Sequence, residues 1–200
     1  MSVTFKSVVF YKETTLFFVI RDLGGYNPPK SVGVTDLGGY NQNMRKVTLC
    51  FLVKGNQILL AMKKEGFGDG KWNGVGGKQE EGESIEQAAV RELAEEIGVK
   101  AEVADLENVG DIKFYFDDRP DWHQHIFIFF VNKWQGEPQE SDEMRPEWYE
   151  KDKLPYEKMW VDDPHWLPKV LEGQKIEAEF YFNNHGAEID KFDIRERVAI

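Results

Sequence analysis

Residues 77–99 read GKQEEGESIEQAAVRELAEEIGV, and this stretch predicts a loop followed by an acidic helix. Ser84 with Gln87 three residues later forms the pattern of a capping box, in which each side chain binds the backbone N–H of the other residue. Gly98 is a typical C-terminal stop because glycine adopts the left-handed conformation that ends helices. The pattern therefore predicts a helix over residues 84–97, and the rest of the chain is read outward from it.

One face of this predicted helix is apolar, and three glutamates flank that face. At about 100° per residue, the apolar stripe comprises Ile85, Ala89, Val90, Leu93 and Ile97. Glu92, Glu95 and Glu96 cluster about a quarter turn away, where like charges oppose helix formation and a hard divalent cation relieves the repulsion. A pair of glutamates alone is more often a solvated helix face, so the interpretation depends on the whole spacing.

The spacing resembles the Nudix box, which is Gly, five residues, Glu, seven residues, Arg-Glu-Leu, one residue, Glu-Glu, one residue and Gly-Val. This chain fills the pattern with Gly77, Glu83, Arg91, Glu92, Leu93, Glu95, Glu96, Gly98 and Val99. The resemblance implies an α/β fold, the Nudix α/β/α sandwich with a mixed sheet. It also implies a pyrophosphohydrolase that uses Mg²⁺, with Mn²⁺ as an alternative cofactor.

Segments on both sides of the box extend the resemblance. MKKEGFG at 62–68 and KWNG at 71–74 precede the box, and ESDEMRP at 140–146 and MWVDDPHW at 159–166 follow it. Together they resemble the MutT-like branch that hydrolyses oxidised purine nucleoside triphosphates, notably 8-oxo-dGTP and 2-hydroxy-dATP, over residues 44–195. The implied reaction yields a nucleoside monophosphate and pyrophosphate, through attack of water on the β-phosphorus, and cleanses the nucleotide pool.

The resemblance also implies roles for individual residues. The metal ligands it implies are the carbonyl of Gly76 and the carboxylates of Glu92, Glu95, Glu96 and Glu143. Either Glu92 or Glu96 acts as the catalytic general base toward water, and the sequence does not separate the two. Glu83 and Arg91 match a structural pair that braces the loop against the helix.

Substrate binding requires a flat apolar surface for the purine and a few polar groups that read its edge. The candidate apolar residues are Phe67, Phe114, Phe116, Met144 and Trp160, and the candidate polar residues are Asn73, Asp162 and Asp163. Val161, which lies between Trp160 and Asp162, is a further candidate for contact with the substrate. The candidates for the phosphates are Val75, Gly76, Gly77 and Lys78, whose backbone allows close approach. The resemblance adds Thr48 and Lys63 as residues that face the nucleotide. Core packing remains the alternative for Phe114 and Phe116, and an ordinary strand position remains the alternative for Thr48.

The adjacent acids Asp162 and Asp163 form a separate hypothesis. If they are sequestered against Trp160, mutual repulsion raises the pKa of at least one, and a protonated carboxyl both donates and accepts hydrogen bonds. Such a pair can read more than one purine tautomer. The alternative is an exposed Asp-Asp-Pro sequence that caps a helix.

Composition limits the partners and the compartment. A net charge of −11 argues against a nucleic acid polymer as a partner, whereas a small nucleotide whose phosphates a metal neutralises remains compatible. The single cysteine, Cys50, lies in an apolar run and indicates a core thiol in a reducing compartment. The apolar runs are too short to span a membrane. We therefore expect a cytoplasmic monomer with no membrane partner.

The chain divides into an N-terminal extension, 1–43, and a hydrolase domain, 44–200. The extension has strand-like runs and two copies of DLGGYN at 22–27 and 36–41. It is read as a hairpin with a linker, as a lid or partner-binding arm, or as a segment preceding a translation start at Met44. The other predicted elements are strands at 46–53 and 57–63, a loop at 65–77, strands within 101–116, at 123–131 and at 145–149, a helix at 164–171, and a hairpin of 176–182 with 189–195.

Two other functions are weighed against the oxidised-purine reading. One keeps the chemistry and changes the substrate to an unmodified or methylated purine nucleotide or another nucleoside diphosphate derivative. The other is a Nudix-fold binding module without turnover. Because such modules usually lack box glutamates and this chain has them all, the sequence favours an enzyme.

Overall fold

The computed structural model describes residues 44–66 and 68–197, so the predictions for residues 1–43 and for Phe67 lie outside the described residues. The strands within them are β1 (Arg45–Lys54), β2 (Gln57–Lys63), β3 (Trp72–Asn73), β4 (Leu106–Phe116), β5 (Gln124–Val131), β6 (Met144–Glu150), β7 (Ile176–Asn183) and β8 (Glu188–Glu196). The α-helices are α1 (Ile85–Ile97) and α2 (Asp163–Leu171). No helix in this part of the chain is long and apolar enough to cross a membrane.

The strands form one mixed sheet in the order β3-β2-β1-β5-β4-β7-β8, and β6 pairs with β2. The pairs β1–β5 and β4–β7 are parallel, whereas the other pairs are antiparallel. A parallel pair needs a crossover connection, and the segment that connects β1 to β5 includes α1. The acidic helix is thus placed over the sheet by the chain's topology.

The glycine-rich loop before α1 pairs with β1. Strands β1 and β2 pair only beside their turn, at Val53 with Ile58 and at Lys54 with Gln57. Farther along β1, the Cys50 N–H donates to the carbonyl of Val75 at 2.6 Å, and the Thr48 N–H donates to the carbonyl of Gly77 at 2.8 Å. The loop is therefore fixed against the sheet by backbone hydrogen bonds.

Helix α1 begins and ends where the capping pattern predicts. The Gln87 N–H donates to Ser84 Oγ at 3.2 Å, and the Ser84 N–H donates to Gln87 Oε1 at 2.7 Å. Gly98 adopts the left-handed conformation with φ of 73°. Of the predicted apolar stripe, Ala89, Leu93 and Ile97 are buried and Ile85 packs partly buried against the same cluster. Val90 is only partly buried, and Ala88, which the predicted stripe omits, is buried.

The two faces of the sheet carry separate hydrophobic clusters. The cluster under α1 includes Leu93 and Ile97 from the helix and Phe129 from β5. The cluster under α2 includes Trp166 and Val170 from that helix, together with side chains of β1, β4, β5 and β7. This arrangement confirms the predicted α/β/α sandwich with a mixed sheet.

Strand β3 is the element that the sequence does not reveal. It lies inside the predicted loop 65–77, where Trp72 pairs with Met62 and Asn73 with Ala61. Two residues are too few to show the period-two alternation that identifies strands. The other strands and the helix α2 lie where the sequence predicts them, within one or two residues at most ends.

Candidate active site

Arg91 joins the loop to helix α1. Its Nε donates to Glu83 Oε2 at 3.2 Å, and its Nη2 donates to Glu83 Oε1 at 2.8 Å and to the carbonyl of Lys78 at 3.1 Å. The hydrogen bond from Arg91 lowers the pKa of Glu83. The structure therefore contains the Glu83–Arg91 pair, in the bracing position that the resemblance implies.

Arg91 also holds two of the box glutamates. Its Nη1 lies 2.9 Å from Glu92 Oε1 and 2.9 Å from Glu95 Oε2. Burial raises the pKa of Glu92, and the hydrogen bond from Arg91 opposes that rise. Glu95 is on the exposed side of the helix. One guanidinium thus sets the direction of both carboxylates.

Glu96 is the buried member of the three glutamates. Its side chain turns toward the loop, where Glu96 Oε2 accepts a hydrogen bond from the Gly76 N–H at 3.0 Å. Burial raises the pKa of Glu96 to about 7, and the charges of Glu92 and Glu143 add to the rise, whereas the Gly76 hydrogen bond and Lys63 oppose it. The carboxylates therefore create a region of strongly negative potential that disfavours a further anion and attracts a cation.

The two glycines beside these carboxylates leave no room for a side chain. A Cβ at Gly77 would lie 2.2 Å from Glu92 Oε1, and a Cβ at Gly76 would lie 2.1 Å from the carbonyl oxygen of Thr48. Glycine is therefore required for the close approach of the loop to both α1 and β1.

Five acids surround one cavity of about 290 Å³, which we call the acid cavity. Its lining residues are Glu92, Glu95, Glu96, Ser141, Asp142 and Glu143. These donors are carboxylate and hydroxyl oxygens, the type that a hard divalent cation prefers, so the residues fit such an ion by chemistry. Within the described residues, no group of three or more His, Cys, Asp or Glu side chains is close enough together to hold a metal ion as it stands. Arg91 pairs with two of these carboxylates, those of Glu92 and Glu95.

A second cavity of about 290 Å³ lies between the loop, the sheet and α2, and we call it the sheet cavity. The predicted substrate-binding residues that line it are Thr48, Lys63, Asn73, Gly76, Gly77, Lys78, Phe114, Phe116, Met144, Trp160, Asp162 and Asp163. The structure does not bring Val75 and Val161 to this cavity. Val75 is buried in the cluster under α1, and the Val161 side chain is exposed.

Asp162 and Asp163 are both buried at the start of α2. Trp166 Nε1 donates to Asp162 Oδ2 at 3.0 Å, and the Trp160 N–H donates to Asp163 Oδ2 at 2.8 Å. Burial raises the pKa of Asp162 to about 6, and burial together with the charge of Asp162 raises the pKa of Asp163. The predicted sequestration is confirmed, and the exposed helix cap is wrong because neither carboxylate is exposed.

Trp160 is held between a glycine and a lysine. A Cβ at Gly68 would lie 2.8 Å from the Trp160 ring, so this position requires a residue without a side chain. Lys71 Nζ lies 5.9 Å from the centre of the ring and donates to the carbonyl of Met159 at 2.9 Å. These contacts fix the indole in the wall of the sheet cavity.

Phe114 and Phe116 belong to both the core and the cavity wall. Phe182 lies 5.2 Å from Phe114 in an edge-on contact and 5.0 Å from Phe116 in a stacked contact, measured between ring centres. Both phenylalanines also line the sheet cavity. The two readings of these residues, core packing and substrate contact, are therefore compatible.

Several lining residues were not among the sequence candidates. They include Val47, Leu49, Lys71, Ile112, Gln124, Ile126, Ile128, Trp166, Phe182 and Gly186. The signal that could have found many of them is the strand period of two, because residues 47 and 49, 112 to 116 and 124 to 128 place alternate side chains on one face. Trp166 and Lys71 carry no such signal, since their roles arise only from contacts with Asp162 and Trp160.

The acidic helix, the glycine loop and the two cavities define a class of enzyme that acts on phosphate groups with a divalent metal. Residues 43–170 match the family model described as the NUDIX domain. The chain therefore belongs to the Nudix family, and it is a Nudix hydrolase.

Relatives of this chain are consistent with that assignment. An oxidized purine nucleoside triphosphate hydrolase of Danio rerio is 46% identical over 139 residues, which cover 70% of this chain and 87% of the relative. The Mus musculus protein of the same name is 41% identical over 152 residues, with 76% and 95% coverage. Among solved structures, a MutT protein from Bacillus halodurans has a TM-score of 0.66 and 28% identity, and covers 76% of this chain and 97% of its own.

Proposed function

We propose that this Nudix hydrolase converts oxidised purine nucleoside triphosphates, 8-oxo-dGTP and 2-hydroxy-dATP, to the monophosphate and pyrophosphate. The observation that carries the proposal is the buried pair Asp162–Asp163 beside Trp160 in a cavity that reaches the loop of the acidic helix. The names of the Danio rerio and Mus musculus relatives support the same substrate class. Removal of such nucleotides would cleanse the pool from which DNA is made.

The cofactor in this proposal is Mg²⁺, which Mn²⁺ can replace. The residues that would hold it are Glu92, Glu95, Glu96 and Glu143, with the carbonyl of Gly76. When bound, the ion neutralises phosphate charge and lowers the pKa of a coordinated water. The all-oxygen donor set and the mutual repulsion of these carboxylates support this assignment.

The chain's own residues position the phosphates and the water. Glu92 or Glu96 accepts a proton from the attacking water, which attacks the β-phosphorus. Arg91 keeps the Glu92 carboxylate in place. Lys63 and Lys78 line the cavity beside the loop and supply positive charge for the phosphates.

The buried acids read the base. Because both pKa values are raised, at neutral pH the pair retains a proton in part of the population, so it offers a donor as well as acceptors. A purine with an added oxo or hydroxyl group can then form complementary hydrogen bonds with the acid pair in either of its tautomers. Asn73 and the Trp160 face complete this proposed base site.

The remaining proposals concern the whole chain. Residues 44–200 act as the hydrolase domain, and the protein works as a cytoplasmic monomer on small nucleotides without a nucleic acid polymer. The buried thiol of Cys50, whose pKa burial raises, supports a reducing compartment. The activity of a chain that begins at Met44 tests the domain boundary, and an inactive chain would contradict it. Sedimentation tests the monomer, which a dimer would contradict. Cell fractionation tests the cytoplasmic location, which a secreted protein would contradict.

Pyrophosphate release from 8-oxo-dGTP in the presence of Mg²⁺ tests the proposed chemistry. Substitution Glu96→Gln removes a metal-binding charge, so we expect kcat to fall by about 100-fold or more. Glu102→Gln is the matched control because this glutamate is exposed and lies outside the acid cavity. Full turnover in Glu96→Gln, or no turnover in the wild type on any purine triphosphate, would contradict the proposal.

A further inference from the structure

Gln124 is a polar side chain in an apolar part of the sheet cavity. The other cavity-lining residues that β4, β5 and β7 contribute in the described chain are Ile112, Phe114, Phe116, Ile126, Ile128 and Phe182. All of them are apolar. An amide at this position therefore requires a reason other than packing, because a polar group in an apolar wall is unfavourable unless it forms a hydrogen bond.

The strand register places the Gln124 side chain inside the cavity. Gln124 is directly opposite Phe114 on β4, and residues that face each other in an antiparallel pair share one side of the sheet. Ile126 and Ile128 follow at the period of two and line the same cavity. Gln124 is therefore the first residue of a continuous wall.

This wall lies away from the phosphate-binding groups. The loop residues Gly76 and Gly77 contact Glu96 and Glu92 and pair with one edge of β1. Strand β5 pairs with β1 in parallel and lies about 5 Å beyond it in the sheet, with β4 farther away still. Gln124 thus lies where the part of a nucleotide remote from the phosphates would be.

Gln124 and the buried acids line the same cavity from different elements, Gln124 from β5 and the acids from the start of α2. Asp162 binds Trp166, whose ring centre is 6.3 Å from that of Phe51. Trp166 also lines this cavity, beside the acids. Gln124 and the acid pair therefore approach a ligand in this cavity from different elements.

The amide of Gln124 is available to a ligand. Within the described residues its side chain forms no hydrogen bond, and it is only partly buried, so water can reach it in the free protein. A bound ligand displaces that water. The amide then either hydrogen-bonds to the ligand or is left unsatisfied, and the second outcome costs binding energy.

We propose that Gln124 is a specificity-determining residue whose side-chain amide hydrogen-bonds to the nucleobase of the substrate. This inference rests on the proposed function, because it assumes that the sheet cavity holds a purine. It adds a neutral donor and acceptor to the ionisable pair that the start of α2 contributes to the same cavity. The choice among purines is then divided between two groups that contact different atoms of the base.

Gln124→Leu removes the amide and keeps the size of the side chain, and Gln174→Leu is the matched control because residue 174 does not line the cavity. The assay compares kcat/KM for 8-oxo-dGTP, 2-hydroxy-dATP, dGTP, dATP and abasic deoxyribose triphosphate. We expect Gln124→Leu to lower kcat/KM by about 3- to 10-fold for at least one of the oxidised nucleotides and to change the ratio between the nucleotides. We expect no change for the abasic compound or in the control variant.

Two results would overturn the inference. One is an unchanged ratio among the four nucleotides, and the other is an equal loss on the abasic compound, which would show that Gln124 does not act on the base. If Gln124→Leu does not fold, Gln124→Met is measured in the same way. Wild-type turnover is measured first. A wild type without activity would show that the proposed function is wrong. An active wild type with ratios that Gln124→Leu does not change would show that only this inference is wrong.

Discussion

Asp162 and Asp163 show how two adjacent side chains can change the chemistry of a cavity. Each carboxylate accepts a hydrogen bond that the fold fixes, Asp162 from Trp166 and Asp163 from the Trp160 backbone, and both side chains are buried. These hydrogen bonds do not replace the full hydration of a carboxylate, so burial favours the protonated form. The pair therefore titrates closer to neutral pH than isolated aspartates do.

This titration predicts a pH-dependent contribution to stability. The folded-state pKa of Asp162 is raised from 3.8 to about 6, so the stabilising contribution of its neutral form is fully present below the unfolded-state pKa and is lost as pH rises through the folded-state value. Asp162→Asn cannot ionise. The free energy of unfolding of the wild type, relative to Asp162→Asn, should therefore fall by about 1–3 kcal/mol between pH 4 and pH 8.

Urea unfolding of both proteins at several pH values measures this difference. Asp190→Asn, at an exposed position outside both cavities, is the control and should show no such trend relative to the wild type. A difference between the wild type and Asp162→Asn that stays constant across this pH range would contradict the raised pKa.

Some of these residues were predictable and others were not. The burial of the acid pair beside Trp160 could be predicted because Trp160, Asp162 and Asp163 lie within four consecutive residues. Lys71 could not, because it becomes part of the site only through Met159 and Trp160, which are distant in the chain. Sequence order shows neighbours along a segment, whereas the neighbours of Gln124 across the sheet are set by strand register.

At the scale of elements, the loop and α1 act as one unit through Arg91. Its guanidinium contacts Glu83 and the Lys78 carbonyl on the loop side, and Glu92 and Glu95 on the helix. The same unit is held to β1 by the backbone hydrogen bonds of Val75 and Gly77. Arg91 and the loop backbone therefore orient the carboxylates that the proposal assigns to the metal, without needing to bind the metal themselves.

Arg91→Met tests this coupling. Loss of the guanidinium frees the Glu92 and Glu95 carboxylates, so we expect kcat/KM to fall by about 10- to 100-fold, the range typical of groups that orient metal ligands. Arg195→Met is the matched control because Arg195 is exposed and pairs with Asp193 at the other end of the sheet. Unchanged activity in Arg91→Met, measured with saturating Mg²⁺, would show that the carboxylates do not depend on it.

Local chemistry made α1 the most predictable element. Its ends follow from Ser84, Gln87 and Gly98, which act through nearby backbone groups. The choice of Ala88 over Val90 as a buried residue depends on the angle at which the helix meets the sheet, which no local pattern contains. Strand β3 was missed for a similar reason, since its two residues are a strand only because Ala61 and Met62 lie beside them.

At the scale of the whole described chain, the glycine-rich loop before α1 links the two cavities. Gly76 and Gly77 line the sheet cavity and also touch Glu96 and Glu92, which line the acid cavity. The phosphate chemistry and the choice of base are therefore connected through one short loop. The family resemblance implied the sandwich, but the parallel pairing of β1 with β5, between residues about 80 positions apart, has no signature in the order of residues.

The selectivity of the full-length protein tests the central proposal most directly. The measurement is kcat/KM for 8-oxo-dGTP and for 2-hydroxy-dATP, each divided by the value for dGTP and for dATP, with Mg²⁺ present. Because a site built to hydrogen-bond an added polar group discriminates against substrates that lack it, we predict ratios of at least about 10. Ratios near 1 for both oxidised nucleotides would contradict the assignment of this hydrolase to oxidised purine nucleotides.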